Sequence, residues 1–161
     1  MADDKKIIFS LGRLVPYKGY KYLIDSAKYL DDSYMILIGG GGPLKLQLMA
    51  QIEENGLQDK VKLLGFVKDE DIPAYFGACD LFCMSSVYAT EAFGIVQIEA
   101  MSCGKPVVAT TIEGSGTSWV NKHGFSGLNA TPCNAEELAD AISDITADAD
   151  TYARYSRNAR E

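Results

Sequence analysis

Apolar residues recur along the chain in two rhythms that take turns. Short unbroken apolar runs, "KIIFSL" (6–11), "YMILIG" (34–39), "VKLLGF" (61–66), "DLFCMS" (80–85), "PVVAT" (106–110) and a weaker "GLNA" (127–130), predict strands. Most are continuous rather than alternating, the pattern of strands covered on both faces. Between them the spacing is helical: Tyr20, Leu23, Ile24, Ala27 and Leu30, then Leu44, Leu48 and Ile52, then "DEDIPAYFGACD", "GIVQIEAMSCG" and "NAEELADAISDIT". Strands alternating with helices predict an α/β fold, a doubly wound parallel sheet of about six strands with helices on both faces. The chain opens just ahead of its first strand and closes on "TYARYSRNARE", a helical pattern with no glycine or proline stop. One domain over 1–161, excised from a longer protein, is the expectation.

Composition narrows the chemistry. The 161 residues are ordinary for a globular domain, and a net charge of −7 argues against nucleic acid or an anionic membrane surface as a partner. No apolar run reaches the ~20 residues of a membrane span, and "MADDKK" lacks the layout of a signal peptide. The four cysteines, Cys79, Cys83, Cys103 and Cys133, form no CxxC pair, and His123 is the one histidine. A zinc site is therefore not expected, and buried reduced thiols in a cytoplasmic protein are the better reading.

In doubly wound sheets ligands sit beyond the carboxyl ends of the strands, so the loops leaving strands matter most. The first, "LGRLVPYKGYK", lies in a stretch with no acid between Asp4 and Asp25 but five cations, Lys5, Lys6, Arg13, Lys18 and Lys21. Arg13 follows Gly12 at a strand end and Lys18 precedes Gly19 where a helix should begin. A guanidinium and an ammonium so placed suit a phosphate; Lys5, Lys6 and Lys21 read as solvated surface charges. The second loop, "IGGGGPLK", with Gly42 among its glycines, permits close backbone approach to a ligand. It matches neither the G-x-G-x-x-G fingerprint nor a P-loop.

The third stretch, "EAFGIVQIEAMSCGKPVVAT" from Glu91 to Thr110, sets two glutamates in an apolar segment. Glutamate is rarely buried without a partner, so Glu99 either pairs with a protein cation or faces a ligand. Gly94 at a helix start would let the N–H groups of Phe93, Gly94 and Ile95 face an anion bridged to Arg13 and Lys18. Glu91 and Glu99 would then contact hydroxyls rather than the anion.

Taken together, "GRLVPYKG", "GGGP", "GFV" and E-x7-E followed by "EAMSCGKPVVAT" closely resemble the donor-binding half of retaining glycosyltransferases of family 4, with the GT-B fold. The resemblance runs nearly the full chain, to "SRNARE". It implies a Rossmann-like domain that binds a nucleoside-diphosphate sugar, UDP- or GDP-linked, with no cofactor and generally no metal. Arg13 and Lys18 would hold the diphosphate together with Gly94 and Ile95, near Gly12 and Gly42. Glu91 would be catalytic and touch the donor sugar, with Phe93 and Gly94. Glu99 would hold the ribose, and Gly65, Phe66 and Val67 would lie beside the base through their backbone.

The resemblance also implies an N-terminal acceptor-binding domain that this sequence does not include. The fragment would bind donor but transfer essentially no sugar. The segment "EGSGTSWVNKHGFSGLN" tilts the reading toward bacterial surface polysaccharide or lipopolysaccharide synthesis, with Trp119 packed and His123 at the surface. The full enzyme would sit in the cytoplasm, peripheral at the inner membrane face, and this half would make no direct membrane contact. Three other classes fit less well: a 2-epimerase-like isomerase on the same fold, a non-catalytic nucleotide-sugar module, and a dinucleotide-dependent oxidoreductase.

Overall fold

The computed structural model describes residues 5–87, 95–111 and 121–161, and for Ile95 the backbone alone. Six strands, β1 (Lys6–Leu11), β2 (Tyr34–Gly39), β3 (Val61–Gly65), β4 (Leu81–Cys83), β5 (Val107–Thr110) and β6 (Gly127–Ala130), form one sheet in the order β3-β2-β1-β4-β5-β6. Every pairing is parallel. The expected strands are all present; those at 61–66, 80–85 and 106–110 are each trimmed at one or both ends.

Six α-helices are described: α1 (Tyr20–Ser26), α2 (Lys45–Glu54), α3 (Ile72–Ala78), α4 (Ile95–Ser102), α5 (Ala135–Ile145) and α6 (Ala149–Ala159). The expected first helix is split, since a 3-10 turn at Ala27–Tyr29 takes over after Ser26. The last helix begins at Ala149, two residues ahead of the expected pattern, behind Asp148, whose carboxylate accepts from the N–H of Thr151.

Side chains on successive strand positions point to opposite faces, and both faces are filled. Ile8, Ile36, Ile38, Leu81, Cys83 and Val108 pack under α1, α2 and α5. Phe9, Phe82, Val107 and Ala109 pack under α3 and α4, where Phe9 stacks on Tyr75 at 5.3 Å and meets Phe76 and Phe82 edge-on. Two buried faces explain why the strands read as continuous apolar runs. Helix α6 joins the two cores: Tyr155 belongs to the first and Ala159 to the second. Tyr152 Oη donates to the Asp80 carbonyl at 2.6 Å and Ser156 Oγ to that of Gly104, also at 2.6 Å.

With both faces occupied, ligand chemistry is left to the loops at the carboxyl rim. The loop after β1 runs against the loop after β2 at backbone distance. Gly12 N–H donates to Gly39, Leu14 N–H to Gly41, and Leu44 N–H to Leu14. Gly40 has φ +129°, and a Cβ there would lie 1.9 Å from the Gly12 carbonyl oxygen; one at Gly42 would lie 2.7 Å from that of Leu14. Two of the four glycines therefore serve loop-to-loop packing, whereas Gly41 faces open space. The close approach that the glycine run permits is, at Gly40 and Gly42, an approach to the neighbouring loop.

All four cysteines are free, but only Cys79 and Cys83 are buried; Cys103 and Cys133 are exposed, which corrects the expectation of four buried thiols. Burial pushes the Cys79 and Cys83 thiols up to about 12. No helix among the described residues is long and apolar enough to cross a membrane.

Two outcomes follow from this packing. Gly40→Ala collides with backbone and holds an unfavourable φ, so it should destabilise the fold by about 2–4 kcal/mol, read by urea denaturation. Titration with a thiol reagent should modify two cysteines in the native protein and all four in denaturant. Fast native reaction of a third thiol would contradict the burial of Cys79 and Cys83.

Candidate functional site

Strand order reverses between β1 and β4, the position where doubly wound sheets place ligands. Only Ile8↔Leu81 and Phe9↔Phe82 are in register there. Beyond them the buried Ser10 hydroxyl donates to the Cys83 carbonyl at 2.7 Å, and the strands give way to loops. Cys83 lies directly beneath this rim, but its raised thiol pKa makes it inert as a nucleophile.

The β1 loop carries the predicted cations. Arg13 is exposed two residues past the strand. Pro16–Lys18 form a 3-10 turn, closed by Gly19 at φ +67°, which is also the N-cap of α1. That turn folds the Lys18 side chain back over Gly12. A Cβ on Gly12 would lie 3.5 Å from Lys18 Nζ and 2.6 Å from Tyr20 Oη. Lys18 Nζ also sits 5.4 Å from the centre of the Tyr17 ring, within cation–π range. A side chain at Gly12 would thus collide with the Tyr20 hydroxyl, while the ammonium stands at contact distance.

The other cations of the local +5 are elsewhere. Lys6 begins β1 at the opposite end of the strand, about 20 Å from its rim by strand rise, and donates to the Thr146 carbonyl. Lys21 is exposed on α1, over the Tyr22 ring. Arg13 and Lys18 share the rim loop, whereas Lys6 is tied to backbone at the other end of β1 rather than merely solvated.

The burial that raised the question of a partner for Glu99 is not found. The residue is exposed on α4, and no cation of the described residues pairs with it. It lines a cavity of about 480 Å³ between α3 and α4, with Asp69, Ile72, Pro73, Phe76, Ser102 and Cys103. Of the stretch proposed for the base, Gly65 has φ +76° and gives its carbonyl to Gly40 N–H at 2.7 Å. Phe66 is 80% exposed, and Val67 is buried against Gly39. Glu91, Phe93, Gly94 and Trp119 lie outside the described residues, and Ile95 is described only as the first residue of α4.

Sequence reading missed the hydroxyls that tie the rim together. Ser10, Ser85, Ser86 and Thr110 are buried at or just beyond the ends of β1, β4 and β5. Thr110 Oγ1 donates to the Ser86 carbonyl at 2.6 Å and Ser85 Oγ to that of Lys18 at 2.9 Å. The signal was available: "DLFCMS" and "PVVAT" end on Ser and Thr, and "KIIFSL" carries Ser10 next to its last residue. His123 is exposed as expected, its Nδ1 accepting from the Asn129 N–H. Among the described residues no group of three His, Cys, Asp or Glu side chains could hold a metal.

Comparison with known proteins agrees with this geometry. The model of glycosyl transferases group 1 matches residues 1–161. Mannosylfructose-phosphate synthase of Agrobacterium fabrum is 36% identical over 96% of this chain and 36% of its own length. The O-antigen chain mannosyltransferase C of Escherichia coli is 31% identical over 99% of this chain and 42% of its own. Among solved structures, Anabaena HepE in complex with UDP-glucose superposes with a TM-score of 0.88 at 34% identity, over 99% of this chain and 44% of that one. The chain spans about two fifths of the length of the relatives it matches. It belongs to the glycosyl transferases group 1, and its fold is the Rossmann-like half of the GT-B architecture.

Proposed function

We propose that this group 1 chain is the donor-binding half of a retaining hexosyltransferase of family 4 that takes its sugar from a nucleoside diphosphate, UDP- or GDP-linked. The observation that carries the reading is the Lys18 ammonium folded over Gly12 at the strand-order reversal, with Arg13 exposed on the same loop. HepE, similar over 99% of this chain, is solved with UDP-glucose. In this reading Arg13 and Lys18 neutralise the diphosphate as it leaves, so no metal is required. The bond from the anomeric carbon to the diphosphate oxygen breaks. A bond to an acceptor hydroxyl oxygen forms on the same face, and the hydroxyl proton is released. Glu91 contacts the sugar and Glu99 accepts from the ribose hydroxyls, which gives an otherwise unpaired carboxylate its partners. The base lies beside Gly65–Val67.

The acceptor belongs to the remaining part of the enzyme, which we place N-terminal to this half. The O-antigen relative supports a role in bacterial surface polysaccharide or lipopolysaccharide assembly. Free cysteines support a compartment that keeps thiols reduced, the cytoplasm, with the whole enzyme at the inner membrane face.

A thermal-shift panel of UDP, GDP, ADP, their sugar conjugates and NAD tests the reading. A ligand at about 100 times its Kd adds about 2.7 kcal/mol, a rise of roughly 5–10 °C here. One nucleoside diphosphate should give this shift. Glu99→Ala should weaken it by about 1–3 kcal/mol, whereas Glu91→Ala should spare the bare diphosphate and blunt discrimination between its sugar conjugates. Equal loss in both variants would contradict the roles assigned, and a shift with NAD alone would favour the oxidoreductase. In a turnover assay with a nucleotide sugar, the 161-residue chain should transfer essentially no sugar; transfer at the rate of a complete group 1 enzyme would show that this half suffices.

A further inference from the structure

The loops leaving β1 and β4 lead to α1 and α4 on opposite faces of the sheet, an arrangement that ordinarily lets the two loops part and leave a crevice. Here they are joined. Ser85 Oγ donates to the Lys18 carbonyl at 2.9 Å, and Val87 N–H donates to the Tyr17 carbonyl at 2.8 Å. Between these bonds Gly19 comes so close that a Cβ would lie 2.1 Å from the Ser85 carbonyl oxygen and 3.0 Å from Val87 Cγ1. The β4 side of the contact is itself anchored. The Cys83 carbonyl accepts from Ser10, the Ser86 carbonyl accepts from Thr110, and Met84 N–H donates to Val108 at 2.8 Å. Ser85 is buried and its hydroxyl is spent on the backbone of the turn that carries Lys18.

A lysine side chain is long and freely rotating, so where its ammonium dwells depends on how firmly its own peptide is fixed. We propose that Ser85 is a positioning residue for the donor diphosphate. It fixes the Lys18 peptide, and with it the ammonium over Gly12, in one frame with residues 84–87. This rests on the donor-site reading above. The frame matters because residue 87 leads in sequence toward Glu91. The Lys18 turn and residues 84–87 are therefore set relative to each other before any ligand arrives.

The test is a double-mutant cycle on the 161-residue chain, titrated calorimetrically with UDP, GDP and inorganic pyrophosphate to millimolar concentration. Ser85→Ala should raise the Kd of the nucleotide that binds by about five- to tenfold, and Ser85→Thr, which keeps the hydroxyl, should bring it back to within about twofold. Because Ser85 acts through Lys18, the Ser85→Ala/Lys18→Ala pair should bind no worse than Lys18→Ala alone. Additive losses in the pair would overturn the positioning role. So would unchanged affinity in Ser85→Ala beside weakened affinity in Lys18→Ala, which leaves the donor site standing. If Ser85→Ala does not unfold cooperatively, Ser85→Thr decides: an equally weakened, folded threonine variant also overturns the role. No binding of any of the three probes by the unaltered chain would overturn the donor site and this proposal together.

Discussion

The loop that follows β1 is held at backbone distance from its neighbours on both sides, and the placement of Lys18 depends on that confinement. On the β2 side, Gly40 and Gly42 pass so close to Gly12 and Leu14 that no side chain fits between them. On the β4 side, Gly19 abuts the Ser85 carbonyl, and Ser85 and Val87 hydrogen-bond the carbonyls of the turn. On a free surface such a loop would sample many conformations, and fixing it in one would cost about 1–2 kcal/mol per residue. Here the ordering is carried by the fold itself, so a ligand meeting Lys18 is spared that entropy.

The same confinement explains how an acidic chain can offer a site for an anion. A net charge of −7 gives no general attraction for a diphosphate. What counts at contact distance is the local set of charges, since exposed charges beyond a Debye length of about 8–10 Å are largely screened. The acid-free stretch between Asp4 and Asp25 supplies that local set, but β1 divides it, with Lys6 at the far end tied to Thr146. Arg13 and Lys18 stand on the rim loop itself, and Lys21 follows on the first turn of α1. The carboxylate of Glu99 stands on another element, lining a cavity with residues of α3, where it can accept hydroxyls without opposing the phosphates.

Much of this was legible from the order of residues alone. The alternation of apolar runs and helical patterns specified a parallel sheet covered on both faces, because a strand such as "KIIFSL" can be apolar throughout only if Ile8 and Phe9 both find cores, as they do. Arg13 and Lys18 were separable from the other cations because each adjoins a glycine at an element boundary. What escaped was long-range. Nothing local marks Ser85 as the partner of Lys18, 67 residues away, or Gly40 as a residue shaped by the carbonyl of Gly12. The glycine run left ligand approach and a tight turn both open, because composition reports freedom of φ without saying what uses it. The reading of the thiols did err: Cys103 follows an apolar helix, yet it sits past the end of α4, where the chain has already turned outward.

The exposure of Arg13 bears on why such a half would work with a second one. Lys18 is half-buried and fixed, but Arg13 projects into solvent, where its attraction for a phosphate is weakened by water. For unit charges 4 Å apart that attraction is about 1 kcal/mol in bulk water and about 4 kcal/mol at an effective dielectric of 20. Covering the rim with another domain would move Arg13 from the first regime toward the second without moving any atom of this half. The gain grows as charge accumulates on the leaving diphosphate, so it favours the transition state over the bound donor. In the function proposed above, the nucleotide is recognised with what this half already holds, and its expulsion depends on what closes over it.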